Sequence, residues 1–289
     1  MLLDSTVEFW NDPLMPYVEI RRACQSRICY KSHSHPTFSI GAVDVGQSRF
    51  SSYFAQEQLL ESGSVVVIPA NVEHSCNPLP QHAWSYQMMH LDVEWLKTLM
   101  NELRIDQMLN SDLIAAKIPK LKPNILKNSK SYSAFTHLNN SLFDSEISIF
   151  QKEQNLVATL TEILLPDFDL QEIVPSNYYQ QYLPQLIKCL STGSENLSLQ
   201  QLAEKMEISR YALIRLFRHY FGFTPHAYQL NTKINIARQR LQQRCDIAQL
   251  AYELNFTDQS HFQRVFKQHT GITPKQYSKK LSARNFIQE

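Results

Sequence analysis

An internal repeat constrains this chain more than any other feature. From residue 198 it reads SLQQLAEKMEISRYALIRLFRHYFGFTPHAY, and from 246 it reads DIAQLAYELNFTDQSHFQRVFKQHTGITPKQY. At an offset of 48, Leu199, Leu202, Ala203, Met206 and Ile208 match Ile247, Leu250, Ala251, Leu254 and Phe256. At an offset of 49, Ser209, Leu213, Arg215, Leu216, Phe217, Gly222, Thr224, Pro225 and Tyr228 match Asp258, Phe262, Arg264, Val265, Phe266, Gly271, Thr273, Pro274 and Tyr277. One extra residue in the second turn changes the offset. Self-similarity of this kind means one supersecondary unit used twice.

Each unit reads as two helices around a tight turn. Leu199, Leu202, Ala203 and Met206 recur at i, i+3, i+4 and i+7, one apolar helix face. Ser198 and Asp246 suit the first helix start, and Ser209 and Asp258 the second, because a short side-chain oxygen accepts a first-turn N–H. Gly222 and Gly271 suit the left-handed residue past a helix end, and Pro225 and Pro274 suit the start of the next element. This is the helix-turn-helix pattern, expected at about 198–222 and 246–271.

The outward side of each second helix carries the chemistry. Arg210, Tyr211, Ile214, Arg215 and Arg218 lie off the apolar stripe in the first unit; Gln259, Ser260, Gln263, Arg264 and Lys267 hold the equivalent places in the second. Arg reaches guanine, Gln reaches adenine and an apolar side chain meets the thymine methyl. Arg218 and Lys267, one turn further on, suit phosphates. A solvated Arg-rich face is the ordinary reading of one such helix, but two copies that agree in capping, core and Arg position favour DNA readout. Between the units, residues 225–243 lack internal Pro and Gly, and Ile234, Ala237 and Leu241 share a face. As a helix the stretch spans about 28 Å, against about 34 Å between successive major grooves on one face.

Charge divides the chain the same way. The net charge is +1, with 28 Lys+Arg and 27 Asp+Glu, but residues 1–174 carry −7 and residues 175–289 carry +8. The basic part suits a polyanion. The N-terminus MLLDSTVEFW lacks a basic secretory n-region, and no apolar run has membrane-helix length. Five scattered cysteines, at 24, 29, 76, 189 and 245, form no C-x-x-C pair, so a cytoplasmic chain with reduced thiols and no membrane partner is expected.

Residues 181–281 resemble the DNA-binding domain of the AraC/XylS family of bacterial transcription regulators, through F-x4-G-x-T-P-x2-Y at 217–228 and 266–277 and the run Leu250-Ala251-x2-Leu254-x-Phe256. The resemblance implies an all-α domain of two helix-turn-helix units on a long helix. It also implies that Tyr211, Ile214, Arg215, Gln259, Ser260, Gln263 and Arg264 face bases. Asn255 stands where that family has glycine, and Asn tolerates the left-handed region better than most residues.

The acidic part reads as short strands: YVEIRRACQ, FSIGAVDVG, SRFSSYFA, SVVVIPA and SYQMMHLDV. Such a succession suggests a sandwich or barrel. His33-x-His35, and Gly63-x5-Pro69-x-Asn71-x2-His74, resemble the half-motifs of the cupin jelly roll, which implies an effector-sensing domain. A metal-binding cupin adds Glu four or five places beyond the second His; here Ser39 and Ile40 stand there. No metal or other cofactor is therefore expected. The preferred reading is a pocket mouth of His33, His35, His74, Tyr86 and Met88 for a small-molecule effector. Histidines satisfied within the barrel are the competing one, and a metal-dependent cupin enzyme with a DNA-binding tail is the alternative function. No Ser-His-Asp set, Cys-His set or nucleotide loop appears at usable spacing, so no catalytic residue is assigned.

WLKTLMNELRIDQML, and residues 131–165, read as long periodic helices, with Leu138, Leu142, Leu156, Leu160, Ile163 and Leu164 on one face. That face either pairs two subunits or packs on the barrel. Residues 121–130 read as a loop and 166–177 as a linker. The whole is an α+β multidomain chain: a cupin-like domain at 1–165, the linker, and a DNA-binding domain at 178–289. The expected partners are double-stranded promoter DNA, an effector, RNA polymerase and a second copy of the chain.

Overall fold

The computed structural model describes residues 6–102, 122–160, 164, 168, 182–190, 197–243 and 245–282. The chain divides into two compact units, Met1–Cys29 with His35–Ile173, and Tyr30–Ser34 with Val174–Glu289.

The first unit holds β1 (Thr6–Asp12), β2 (Met15–Ser26), β3 (Phe38–Val45), β4 (Gln47–Ser52), β5 (Ala55–Glu61), β6 (Val65–Ile68), β7 (Ser75–Pro78), β8 (Trp84–Leu91) and β9 (Asn124–Leu126). They form a sheet in the order β1-β2-β8-β3-β6-β9 and a smaller one in the order β5-β4-β7, antiparallel throughout. Because side chains alternate along a strand, the larger sheet is apolar on both faces. Val43, Val66, Ile68, Trp84 and Tyr86 join Phe50, Leu60 and Cys76 of the smaller sheet in one core. Phe38, Ile40, Ala42, Val65, Val67, Met89 and Leu91 form another with the helices. Gly41 on β3 lets the Met88 side chain of β8 lie close, since a Cβ there would stand 2.7 Å from Met88 Cε and the methionine would have to shift.

Helices α1 (Val93–Glu102), α2 (Ser129–Phe143) and α3 (Ile149–Thr159) supply Leu96, Leu99, Phe135, Leu138, Leu142 and Leu156 to that second core, and Leu160 and Leu164 join it. The leucine face is thus spent on packing against the sheet; Ile163 lies outside the described residues.

The helix expected over 131–165 is broken. Asp144 ends α2 and Ser148 caps α3 by accepting the Gln151 N–H, and with no Gly or Pro between them the apolar period masks the break. The expected loop at 121–130 contains β9, paired with β6, and the start of α2. Three residues are too few to show a period. SRFSSYFA turns within itself, where Ser52 Oγ accepts the Phe54 N–H and β4 pairs back on β5. Residues 103–109 of the first expected helix, and the linker 166–177 apart from Phe168, lie outside the described residues. Phe168 is buried, its ring 6.0 Å from that of Phe38.

The second unit holds α4 (Leu183–Leu190), α5 (Leu199–Lys205), α6 (Arg210–Phe221), α7 (Pro225–Gln242), α8 (Ile247–Glu253), α9 (Gln259–Thr270) and α10 (Pro274–Ser282). The repeat is visible in its core: Phe217 meets Tyr228 at 5.7 Å between ring centroids, and Phe266 meets Tyr277 at 5.6 Å. Residues 30–34 belong here although they stand between β2 and β3 in sequence. Ser34 N–H donates to Asn231 Oδ1, Asn231 Nδ2 donates to Ser34 Oγ, and Asn235 Nδ2 donates to the Ser34 carbonyl, at 2.9, 3.0 and 2.9 Å. Lys31 N–H donates to the Gln268 carbonyl at 3.2 Å.

Both turns contain a left-handed residue, Glu207 (φ 54°) and Asn255 (φ 52°). A side chain in that region costs about 1–2 kcal/mol, and Asn bears it better than Glu. Glu207→Gly should therefore stabilise the second unit by about 0.5–1 kcal/mol after glycine's own entropic cost, and Asn255→Gly by less. Chemical denaturation followed by circular dichroism at 222 nm measures both.

Candidate nucleic-acid interface and effector cluster

The two readers are built by matched caps. Ser198 and Gln201 exchange side-chain-to-backbone bonds at the start of α5, forming a capping box. Ser209 accepts the Ala212 N–H at 3.1 Å to start α6, and Asp258 accepts the His261 N–H at 2.7 Å to start α9. Both second helices end on a left-handed glycine, Gly222 at φ 75° and Gly271 at φ 81°.

The apolar stripe of each helix fixes which side turns inward. On α6 the inner side is Leu213, Leu216, Phe217, Tyr220 and Phe221, all buried; on α9 it is Phe262, Val265, Phe266, His269 and Thr270. The opposite side of α6 presents Arg210, Arg215 and Arg218 exposed and Ile214 half-buried; the Tyr211 side chain lies outside the described residues. On α9 it presents Gln259, Ser260, Arg264 and Lys267 exposed and Gln263 half-buried. Neither helix carries an acidic side chain, so each outer face is positive or neutral along its length. These groups stand on the places expected from the repeat.

The effector residues divide differently. His33 falls in the segment 30–34 of the second unit, where its Nδ1 lies 2.7 Å from the Lys31 carbonyl. His35, His74, Tyr86 and Met88 are in the first unit. The His35 ring lies 5.4 Å from that of His74 and 4.6 Å from that of His90. His74 is buried; its Nδ1 donates to the Val72 carbonyl at 2.9 Å, and desolvation brings its pKa down to about 4, so it stays neutral. Tyr86 stacks on Trp84 at 4.2 Å, and the Arg21 guanidinium stands 5.8 Å from the Tyr86 ring and 5.6 Å from that of Phe9.

Three groups escaped the sequence reading. His90, whose Nδ1 lies 2.9 Å from Ser39 Oγ, follows Tyr86 and Met88 at the strand period of two, a signal that was available. Ser39, which stands where a metal-binding cupin has Glu, is a partner of that histidine, as is Thr37 at 3.4 Å. Glu73 is buried, accepts the Tyr53 N–H at 2.7 Å and is pushed up to about pKa 7 by desolvation.

Two capped helix-turn-helix units with cationic outer faces, joined by one helix and accompanied by a two-sheet domain with a histidine cluster, define a DNA-binding transcription regulator with a ligand-binding module. The AraC-like ligand binding domain model matches residues 15–204, and a helix-turn-helix domain model matches residues 202–280. The chain belongs to the AraC family of transcription regulators.

It is similar to the HTH-type transcriptional regulator YbfI of Bacillus subtilis, 24% identical over 80% of this chain and 81% of that one. It is also similar to the lactose operon transcription activator of Staphylococcus xylosus, 22% identical over 84% of each. Among solved structures, ToxT of Vibrio cholerae shares the fold with a TM-score of 0.56 at 13% identity, covering 97% of this chain and 100% of that one. A form of ToxT with an unsaturated fatty acid bound gives a TM-score of 0.56 at 14% identity, covering 96% of each chain. Among the described residues, no helix is long and apolar enough to cross a membrane.

Proposed function

We propose that the chain binds double-stranded promoter DNA with α6 and α9 in successive major grooves. Arg210, Tyr211, Ile214 and Arg215 of one reader, and Gln259, Ser260, Gln263 and Arg264 of the other, contact bases. Arg218 and Lys267 hold phosphates. The observation that carries this is the match of the two outer faces, with Arg215 and Arg264 exposed at equivalent places on equally capped helices. The connecting helix α7, 18 residues long, spans about 27 Å, a reach suited to neighbouring grooves.

The two-sheet domain binds the effector. His35, His74 and His90 supply polar contacts, and Tyr86 and Met88 an apolar wall, which suits a small molecule with an apolar body and a hydrogen-bonding head. The fatty acid bound to ToxT has that general chemistry. The effector acts by binding one state better than the other. The chain works as a homodimer that recruits RNA polymerase, an activator in the manner of the Staphylococcus relative, and carries out no catalysis of its own.

Selection from a random duplex pool should enrich one split motif with two recognised halves. Binding to that duplex should fall with salt at a log–log slope of about −3.6 to −4.5, as counterions leave some four or five phosphates. A flat salt response or an unenriched pool would contradict groove docking.

A further inference from the structure

Lys233, on the connecting helix α7, is 3% exposed. Its Nζ donates to the Leu254 carbonyl at 2.5 Å and to the Asn255 carbonyl at 3.4 Å, and it stands 5.5 Å from the centre of the Phe256 ring. Leu254 caps the C-terminus of α8, and Asn255 is the left-handed residue of the second reader's turn. The ammonium therefore sits at the negative end of α8, where a cation is favoured, and satisfies carbonyls that the tight turn leaves without helical partners. Forty-eight residues earlier, at the offset that relates the first helices of the two units, stands Gln185 on α4. Its Nε2 donates at 2.9 Å to the carbonyl of Lys205, the last residue of α5. The following residues, Leu186 and Ile234, are both buried. The repeat thus reaches back one more helix. Each reader hangs from the helix before it by a side chain at the same place, a neutral exposed amide in the first and a buried ammonium in the second.

We propose that Lys233 is a positioning residue: it fixes the second reader on α7 and so sets the spacing and rotational phase at which the two readers engage DNA. This rests on the reading of α6 and α9 as DNA readers. Exposed base-contacting groups set which bases are preferred; the buried clamp sets where the second set of preferences falls relative to the first.

The test uses the full chain, the selected duplex, and duplexes with one or two base pairs inserted or removed between the recognised halves. Each base pair rotates one half by about 34° relative to the other. Wild type should prefer its own spacing by tenfold or more. Lys233→Gln, which installs the first reader's clamp in the second, should cut that preference at least fivefold. It should change affinity for duplexes carrying one recognised half by less than twofold, and Lys233→Arg should restore most of the preference. Lys233→Met should behave as the Gln variant does. An unchanged spacing preference in folded Gln and Met variants overturns the proposal, and so does an equal loss on every duplex. Unfolding of both variants also overturns it, leaving Lys233 a role in stability alone. If wild type enriches no duplex, the DNA reading fails and this inference with it; an intact selection with unaltered spacing preference fails the inference only.

Discussion

Replacing Arg215 and Arg264 together by alanine should cost about 2–6 kcal/mol of binding free energy on the selected duplex. A good bidentate contact to a base contributes about 1–3 kcal/mol of discrimination. The two residues stand on separate helices, one in each unit of the repeat, so their losses should add. Both side chains are exposed, so truncation leaves no cavity and the fold should be unchanged. Binding to unrelated duplex should fall much less, because the cations left on the reader helices, Arg210, Arg218 and Lys267 among them, still neutralise phosphates. Fluorescence anisotropy on the selected and a scrambled duplex measures both. Each single variant should relax a different half of the motif. An equal loss on the two duplexes would make these arginines phosphate anchors instead of base readers.

The second large effect is one of pH. Desolvation raises Glu73 in the folded chain to about 7, against an ordinary value of 4.5. Between those values the folded state keeps a proton that the unfolded state has released, so stability falls as pH rises from about 4.5 to 7 and stays lower above it. His74 runs the other way. Its folded value of about 4 lies below the ordinary 6.5, so the unfolded state takes up a proton first and stability falls as pH drops from 6.5 to 4. In the shared window the neighbours nearly cancel. Glu73→Gln keeps an acceptor for the Tyr53 N–H and removes the buried charge. It should raise stability at pH 8 by about 2–3 kcal/mol, and it should uncover the stability that climbs from pH 4 to 6.5 through His74. The three tryptophans, Trp10, Trp84 and Trp95, all lie in the first unit. Urea unfolding followed by tryptophan fluorescence therefore reports on this unit. A Glu73→Gln profile parallel to wild type would contradict the assignment.

The DNA-reading unit was legible in the sequence because its determinants are local: Ser209 and Asp258 start a helix, Gly222 and Gly271 end one, and an apolar period of 3.6 lies between. A second copy tests each reading against the first. The clamp of Gln185 and Lys233 was hidden because its two members differ in chemistry, although their spacing obeys the repeat. In the two-sheet domain the longer strands could be read from turn residues and alternation. β9 could not, because three residues carry no period and the strand exists only by pairing with β6. Nor could the α2–α3 break, whose turn residues interrupt no apolar run. Nor could the pairing of residues 30–34 with the second unit: Ser34 meets Asn231 and Asn235 about 200 residues away, and no local pattern encodes such a pairing. Of His90, Ser39 and Glu73, only His90 carries a signal in the sequence, two places beyond Met88 on its strand. The overall charge of +1 concealed the division of labour that the −7 and +8 of its two parts express.

Dimethyl sulfate protection of the selected duplex by the full chain tests two-groove reading most directly, since the reagent modifies guanine N7 in the major groove. Two protected clusters should appear on one face of the duplex, centred about 10–10.5 base pairs apart. Arg215→Ala should lose one cluster and Arg264→Ala the other. A single cluster, or two that survive both substitutions, would contradict it.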